Sequence, residues 1–419
     1  MGTSAGFSFA RGNLSKLLAT PRYLLGAVRA RFTTRDPAVW VIGSAFGPVD
    51  GALAFARAAR ELPEPPRLVW LAGSAPEAAR ARRAGFEAVL DRDGEEGFAA
   101  TLGAGVIAVT HGFGDVNRYG ISGAVVVQLW HGAPLKKLHA DSPAITNAGR
   151  LGRVPGMAQL LAWAYRRGTR QISLLPISSS FFAPFLQSAF NLNPQQIRVL
   201  GEPRTDVLFA GTLSDRLRAA RALLDSRLGG LGDSRVLLYA PTWRDGEPDP
   251  SIPTHDQWQR IDSFCAEFDC VLVVRPHPLG VGDYTYRSPR VRILPASVQA
   301  ESMPLLWGVD VLITDYSSML VDYSVTGRPI VLLAPDLEHY RRTRGLYVDY
   351  EWLSGGRWNG SWDEVLDELR TLFMDPGHRA AAEAHSRGLA ARFHEFSDGH
   401  GSRRVAEAAA ALVTGRVRS

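Results

Sequence analysis

The 419-residue chain is poor in cysteine, with only Cys265 and Cys270, which lie in SFCAEFDC. Neither belongs to a CxxC pair or a zinc-type spacing. A disulfide scaffold is therefore not expected, and two reduced, half-buried thiols in a cytosolic protein are. No apolar run reaches about 18 residues, so no transmembrane helix is expected. The N-terminus carries no signal-peptide pattern. A Walker-type glycine loop is missing, as are RNA-binding signatures and any His/Asp/Glu cluster with metal-ligand spacing. HGFGD at 111–115 reads as a loop without the GxGxxG spacing of a dinucleotide site. A metal, a dinucleotide cofactor and a nucleic-acid partner are accordingly not expected.

What is present has the composition of a globular protein, 46% hydrophobic and 21% charged. At about 150 residues per domain the length suits two or three domains. The net charge of +5 favours anionic partners such as nucleotides, phosphates or acidic lipids. Residues 1–35 hold six basic side chains (Arg11, Lys16, Arg22, Arg29, Arg31, Arg35) and no acid, interleaved with Leu14, Leu17, Leu18, Tyr23, Leu24, Leu25 and Phe32. This segment reads either as a basic amphipathic helix on an anionic membrane surface or as a basic tail. Residues 150–170 could form a second membrane-surface helix or a lipid-facing flap. Arg150, Arg153, Arg166, Arg167 and Arg170 flank an apolar face of Met157, Leu160, Leu161, Trp163 and Ala164. That face suits a membrane-surface helix or an ordinary surface helix packed on the core.

From Val39 onward, short apolar runs alternate with helical stretches. VWVIGS (39–44), RLVWLAG (67–73), GVIAVTHG (105–112), AVVVQLWHG (124–132) and ISLLPIS (172–178) read as strands, and 51–63 reads as a helix ended by Pro63. The second half repeats the theme with IRVLG (197–201), RVLLYAPT (235–242), CVLVVRPHP (270–278), VRILP (291–295), DVLITDYSS (310–318) and RPIVLLAPD (328–336). Alternation of this kind predicts two doubly wound parallel sheets covered on both faces. The seam is expected near 185–200, and alanine-rich helices from about 376. In such sheets ligands bind beyond the carboxyl ends of the strands.

Four strand ends carry unusual residues. In QLWHGAPLKKLHAD (128–141), His131 can take a proton near neutral pH, Gly132 allows close approach, and Lys136 and Lys137 suit an anionic substrate; a lone histidine is otherwise more often structural. In GEPRTDVLF (201–209), Arg204 offers a fork to a phosphate or carboxylate, or pairs with Asp206, which could equally cap a helix. YAPTWRDG (239–246) and VVRPHP (273–278) bring Thr242, Arg244, Arg275 and a proline-flanked His277 to one rim; a polar turn after each strand is the plainer reading. In DVLITDYSSMLVDYSVTGRP (310–329), Asp315, Tyr316, Ser317 and Ser318 open a helix whose free N–H groups and hydroxyls fit a diphosphate. There Asp315 orients the loop or a ribose hydroxyl, unless it and Ser317 merely cap.

With these stretches read, the chain resembles the CDP-glycerol glycerophosphotransferase family, the teichoic-acid primases and polymerases. WHG with PLKK (130–137), GEPRTD (201–206), YAPTWR (239–244), RPHP (275–278) and TDYSSMLVDY (314–323) with GRPIVLL (327–333) carry the resemblance, over about 39–350. It implies an α/β, GT-B-like fold: two facing Rossmann-type domains with a cleft between them. The expected organisation is a basic segment at 1–36, an acceptor domain at 37–190 with the insert 150–170, a CDP-donor domain at 191–375, and C-terminal helices at 376–419. The implied reaction moves a polyol phosphate, glycerol phosphate first, from a CDP-activated donor to a hydroxyl of a lipid-linked or glycan acceptor. CMP is released, without a metal, at the inner face of the cell membrane. His131 is then expected to be the base and His277 the second catalytic group. Arg204, Thr242, Arg244, Arg275, Asp315, Ser317 and Ser318 would hold the donor, with Gly132, Lys136 and Lys137 at the acceptor. Ala133 stands where the family often has a small hydroxylated residue, and LHAD leaves Asp141 without an assigned role. The long N-terminal helical module of some polymerases is missing, which favours a compact primase-like or capsule-type enzyme. A CDP-ribitol donor and a nucleotide-sugar glycosyltransferase are the alternatives.

Overall fold

The computed structural model describes residues 20–142, 156, 159, 163, 166–244, 247–277, 279, 280 and 282–417. Arg11, Lys16, Leu14, Leu17 and Leu18 of the basic segment lie outside the described residues. So do Arg150, Arg153, Met157, Leu160, Leu161 and Ala164 of the insert.

Two parallel sheets form the molecule. The first has seven strands in the order β3-β2-β1-β4-β5-β6-β7 and the second five in the order β10-β9-β8-β11-β12. The first contains β1 (Asp36–Gly43), β2 (Arg67–Ala72), β3 (Ala88–Asp91), β4 (Ala104–Val109), β5 (Val125–Gln128), β6 (Ile172–Ile177) and β7 (Ile197–Val199). The second contains β8 (Arg235–Ala240), β9 (Cys270–Val274), β10 (Val291–Ile293), β11 (Val311–Thr314) and β12 (Ile330–Leu332). Among the described residues the strands pair in parallel, for example Val41 beside Val69 and Ile107. β4, β5, β9 and β11 are buried along their whole length, as their unbroken apolar runs require when helices cover both faces.

β3 was not foreseen. It has four residues, lies at the sheet edge and is only half-buried, so it lacks a hydrophobic run. The expected seam also moves. IRVLG reads as the first strand of the second half, but Leu175 pairs with Ile197 and Ile177 with Val199, which keeps β7 in the first sheet. The chain crosses over only after Leu200. The helix Leu213–Leu228 then packs Leu224 into the core of the second sheet.

The C-terminal helices are not a separate segment. Pro376–Phe393 buries Leu389 and Phe393 in a cluster that holds Phe182 and Leu186 from the first unit and Leu320 and Tyr350 from the second. Gly401–Val417 returns to the first unit, where Val405, Ala406, Ala409 and Val413 pack with Trp40, Phe55 and Val127. The two units are thus joined by an apolar seam as well as by chain crossovers. Among the described residues no helix is long and apolar enough to cross a membrane.

Candidate active site at two facing strand-end crevices

In the second sheet the chain direction of assembly reverses between β8 and β11, which opens a crevice beyond their carboxyl ends. Asp315, just past β11, bridges it. The buried carboxylate accepts from the Thr242 backbone N–H at 3.0 Å, the Thr242 hydroxyl at 2.5 Å and Arg244 Nη1 at 3.0 Å. Arg244 turns its other edge to Asp336, Nε at 2.7 Å and Nη2 at 3.0 Å, and lies against the rings of Tyr316 and Tyr340. Its guanidinium is desolvated by burial, but Asp315 and Asp336 outweigh that and hold its pKa above the ordinary arginine value. The YAPTWR and TDYSS strand ends are therefore one braced unit.

Ser317 and Ser318 follow. The Ser317 hydroxyl accepts from the Met319 N–H at 3.2 Å, and Ser318 precedes the short helix Met319–Ser324 without a side-chain cap bond of its own.

His277 closes the rim beyond β9. The Leu279 backbone N–H donates to its Nδ1 at 3.1 Å. A neutral ring that accepts at Nδ1 carries its proton on Nε2, so His277 presents a hydrogen-bond donor. Burial, then the charges of Lys136 and Arg275, push its pKa down to about 3.

His131 has the opposite polarity. It follows Trp130, a buried residue with φ +60 whose ring packs edge-on against Phe190 at 5.1 Å. Such a left-handed conformation costs about 1–3 kcal/mol at a non-glycine residue and turns the chain sharply at the end of the strand. His131 Nδ1 lies 3.3 Å from the Thr110 carbonyl, which can only accept. Nδ1 thus carries the proton and Nε2 the lone pair. Burial, then His111, press the pKa of His131 well below the ordinary histidine value, although the residue as a whole is exposed. At neutral pH one imidazole is a proton acceptor and the other a donor.

The two units touch at this point. A Cβ on Gly132 would lie 2.6 Å from Ser318 Oγ and 3.1 Å from Ser318 Cβ, so glycine lets the loops meet without displacing the Ser318 side chain. Lys136 bridges to Leu346, the Lys137 N–H donates to Gly345 O at 3.0 Å, and the Tyr347 N–H donates to Leu135 O at 2.9 Å. Burial, then Arg344, lower the Lys136 ammonium to about 8, and its charge is felt by both His131 and His277. Asp141 gains a role here: it accepts from Tyr347 Oη at 2.6 Å and Ser188 Oγ at 2.7 Å across the seam.

Two arginines are placed differently from the sequence-based expectation. Arg204 does not pair with Asp206 and is not an open fork. Buried, it donates from Nε to Glu202 at 2.7 Å and from both Nη atoms to Asp322 at 2.8 Å, bracing the turn after β7 against Met319–Ser324. Asp206 instead caps the helix Gly401–Val417, accepting from the Gly401 N–H at 2.8 Å and the Ser402 N–H at 2.7 Å. Arg275 is buried and donates to the carbonyls of Leu294 and Ala300, at 3.3 Å and 2.9 Å, so its guanidinium is engaged by backbone rather than left open. Asp336 and Asp322, the counter-charges of Arg244 and Arg204, were missed. Asp322 lies in the quoted TDYSSMLVDY run, but nothing local reveals the distant arginine. Among the described residues no group of three or more His, Cys, Asp or Glu side chains is arranged to hold a metal ion.

Comparison with known proteins gives the family and the fold. The family model described as CDP-Glycerol:Poly(glycerophosphate) glycerophosphotransferase matches residues 28–410. Among curated relatives, the teichoic acid ribitol-phosphate polymerase TarK of Staphylococcus aureus is 29% identical over 196 residues, 46% of this chain and 38% of TarK. A teichoic acid poly(glycerol phosphate) polymerase of Bacillus subtilis is 27% identical over 259 residues, 59% of this chain and 32% of its own length. A teichoic acid glycerol-phosphate transferase of S. aureus is 27% identical over 292 residues, 67% of this chain and 70% of its own. The chain thus spans well under half of the two polymerases. The structure of the wall teichoic acid polymerase TagF superposes with a TM-score of 0.74 at 21% identity, covering 97% of both chains, which establishes the shared GT-B fold. By the extent of the family match, the chain is a member of the CDP-glycerol:poly(glycerophosphate) glycerophosphotransferase family.

Proposed function

We propose that the chain transfers a polyol phosphate, glycerol phosphate first, from a CDP-activated donor to a hydroxyl of a lipid-linked or glycan acceptor in the synthesis of a teichoic-acid-like or capsular polymer. The opposite tautomers of His131 and His277 carry this reading. The acceptor oxygen attacks the donor phosphorus distal to cytidine, and its proton passes to His131 Nε2. The bond from that phosphorus to the bridging oxygen breaks, and CMP leaves with the electron pair. His277 Nε2–H donates to the phosphoryl oxygens as charge grows there, beside the Ser317 and Ser318 hydroxyls and the Lys136 ammonium. Fixed donors of this kind act most strongly where charge develops in the transition state. Arg244, Thr242 and Asp315 hold the serine loop in place for the diphosphate. A variant of TagF has been studied after soaking with CDPG, and its chain shares this fold with a TM-score of 0.74.

A ribitol donor is the second reading, because ribitol-phosphate and glycerol-phosphate enzymes match at nearly equal identity, 29% and 27%. Purified protein offered CDP-glycerol, CDP-ribitol or a UDP-sugar with a synthetic lipid-linked acceptor should release CMP from a CDP-polyol alone. UDP release, or turnover by His131→Ala, would refute the proposal.

The enzyme is also proposed to work at an anionic membrane surface. On the helix Thr20–Arg31 and just after it, Leu24, Leu25, Val28 and Phe32 are exposed, with Phe32 at 85%, beside Arg22, Arg29 and Arg31. Trp163 and the Arg166–Arg167 pair of the insert add a second exposed apolar and basic patch.

A further inference from the structure

The HGFGD loop at 111–115 has no part in the reaction as proposed so far, yet it lies at the switch point of the first sheet. Strand order reverses between β1 and β4, the position where such sheets bind ligands. Ser44 follows β1 and Thr110 follows β4, and their hydroxyls meet at 2.9 Å. Asp115 folds the loop back on itself. Its Oδ2 accepts from the N–H groups of Thr110 at 2.9 Å, His111 at 2.7 Å and Gly112 at 3.4 Å.

Thr110 then serves two imidazoles. Its hydroxyl oxygen lies 2.8 Å from His111 Nδ1 and its carbonyl 3.3 Å from His131 Nδ1. The rings stack 4.1 Å apart and 9° from parallel, with the Phe46 edge 4.6 Å behind His111 and Trp130 4.2 Å from His131. The stack is clamped at both ends by aromatic side chains. His111 Nε2 is shut off from solvent and has no hydrogen-bond partner among the described residues. A buried polar atom without a partner is costly, and natural folds rarely keep one without a reason.

We propose that His111 is a positioning residue for the transfer: its ring holds that of His131 flat, with Nδ1–H on the Thr110 carbonyl and Nε2 free to take the acceptor proton. This inference rests on the reading of His131 as the base. The groups that face His131 are His111 from the β4 loop, Arg204 from the turn after β7 and Lys136 from its own loop; Asp115 faces His111. His111 therefore covers one face of the base ring against water without adding a fixed charge at neutral pH, its own pKa being lowered by burial.

The test uses the full chain, CDP-glycerol and a synthetic lipid-linked acceptor, with CMP release followed against pH. His111→Ala removes the wall and admits water, so the pKa of His131 rises and the acid limb of kcat/KM moves to higher pH. kcat falls about tenfold or more, since small misplacements of reacting groups are costly. His111→Phe restores a flat ring and recovers most of kcat. A residue that only fills space would lower thermal stability without moving the limb. Nitrogen-15 NMR of labelled histidine in the wild-type enzyme should find His131 in the Nδ1–H tautomer, and finding Nε2–H instead overturns the inference even if a variant fails to fold. His131→Ala is run alongside. Full activity there defeats the base assignment itself. An inactive His131→Ala beside a His111→Ala enzyme with unchanged kcat and acid limb defeats the role of His111 alone.

Discussion

Replacing His277 separates a donor from a base. Its Nδ1 is held by the Leu279 N–H at 3.1 Å, and the Trp243 ring lies 6.0 Å away in a near-parallel stack. The ring is thus fixed with Nε2–H outward. Loss of one fixed donor to a developing oxyanion costs about 2.7–4 kcal/mol, or roughly 10²–10³ in kcat. His277→Ala should therefore lose kcat by about that factor in single-turnover CMP release, with a smaller change in the KM for CDP-glycerol. His277→Gln keeps an N–H of similar reach and should recover part of it. With the ring's pKa pushed down to about 3, His277 stays neutral through the assay range. The acid limb should then be the same in wild type and in His277→Gln. Activity of His277→Ala within about threefold of wild type would refute the assignment, because a fixed donor is worth more than that. So would an acid limb that disappears with the ring. The same depression has a stability signature. An unfolded histidine binds its proton below about pH 6.5, whereas the folded ring resists protonation down to about 3. Stability contributed by the neutral ring is present above the unfolded pKa. It is lost as pH falls from there towards the folded value, by about 1.4 kcal/mol per pH unit. His277→Gln should flatten the acid-side fall in unfolding free energy measured with urea.

Three further outcomes follow from the same contacts. Gly132→Ala places a Cβ 3.1 Å from Ser318 Cβ, an overlap that costs roughly 1–3 kcal/mol; the protein should fold with a lower Tm and show reduced kcat, and an unaltered kcat would separate this contact from catalysis. Asp336→Asn leaves buried Arg244 with Asp315 as its only carboxylate partner, and breaking a buried pair costs about 3–5 kcal/mol. Calorimetry should record a clear drop in Tm, and equilibrium dialysis weaker CDP-glycerol binding. Leu25→Glu with Phe32→Glu puts charge on exposed apolar positions and should abolish co-sedimentation with vesicles containing phosphatidylglycerol while leaving CMP release to a soluble acceptor intact. Undiminished co-sedimentation would locate membrane contact elsewhere.

Strand ends were the legible part of the site. The valine-rich runs before His131, Thr242, His277 and Asp315 all became buried strands, because a parallel sheet covered on both faces needs continuous apolar sequence. The short edge strand Ala88–Asp91 escaped notice because its partial burial demands no such run. Arg204 looked like an anion fork because its partner Asp322 is 118 residues away and only folding brings the two together at 2.8 Å. HGFGD looked like a bare loop because the ring that stacks on His111 comes from a different strand end.

Local composition thus determined two doubly wound sheets and which residues stand at their carboxyl ends, since hydrophobic periodicity and the position of polar residues are written along the chain. Tertiary structure alone decided which charges are already satisfied, that Gly132 meets Ser318, and that His131 bears its proton on Nδ1, opposite to His277. The tautomer of an imidazole depends on whether a carbonyl or an N–H reaches its Nδ1, and for His131 that carbonyl belongs to a residue 21 positions away. No pattern of neighbours along the sequence contains that information.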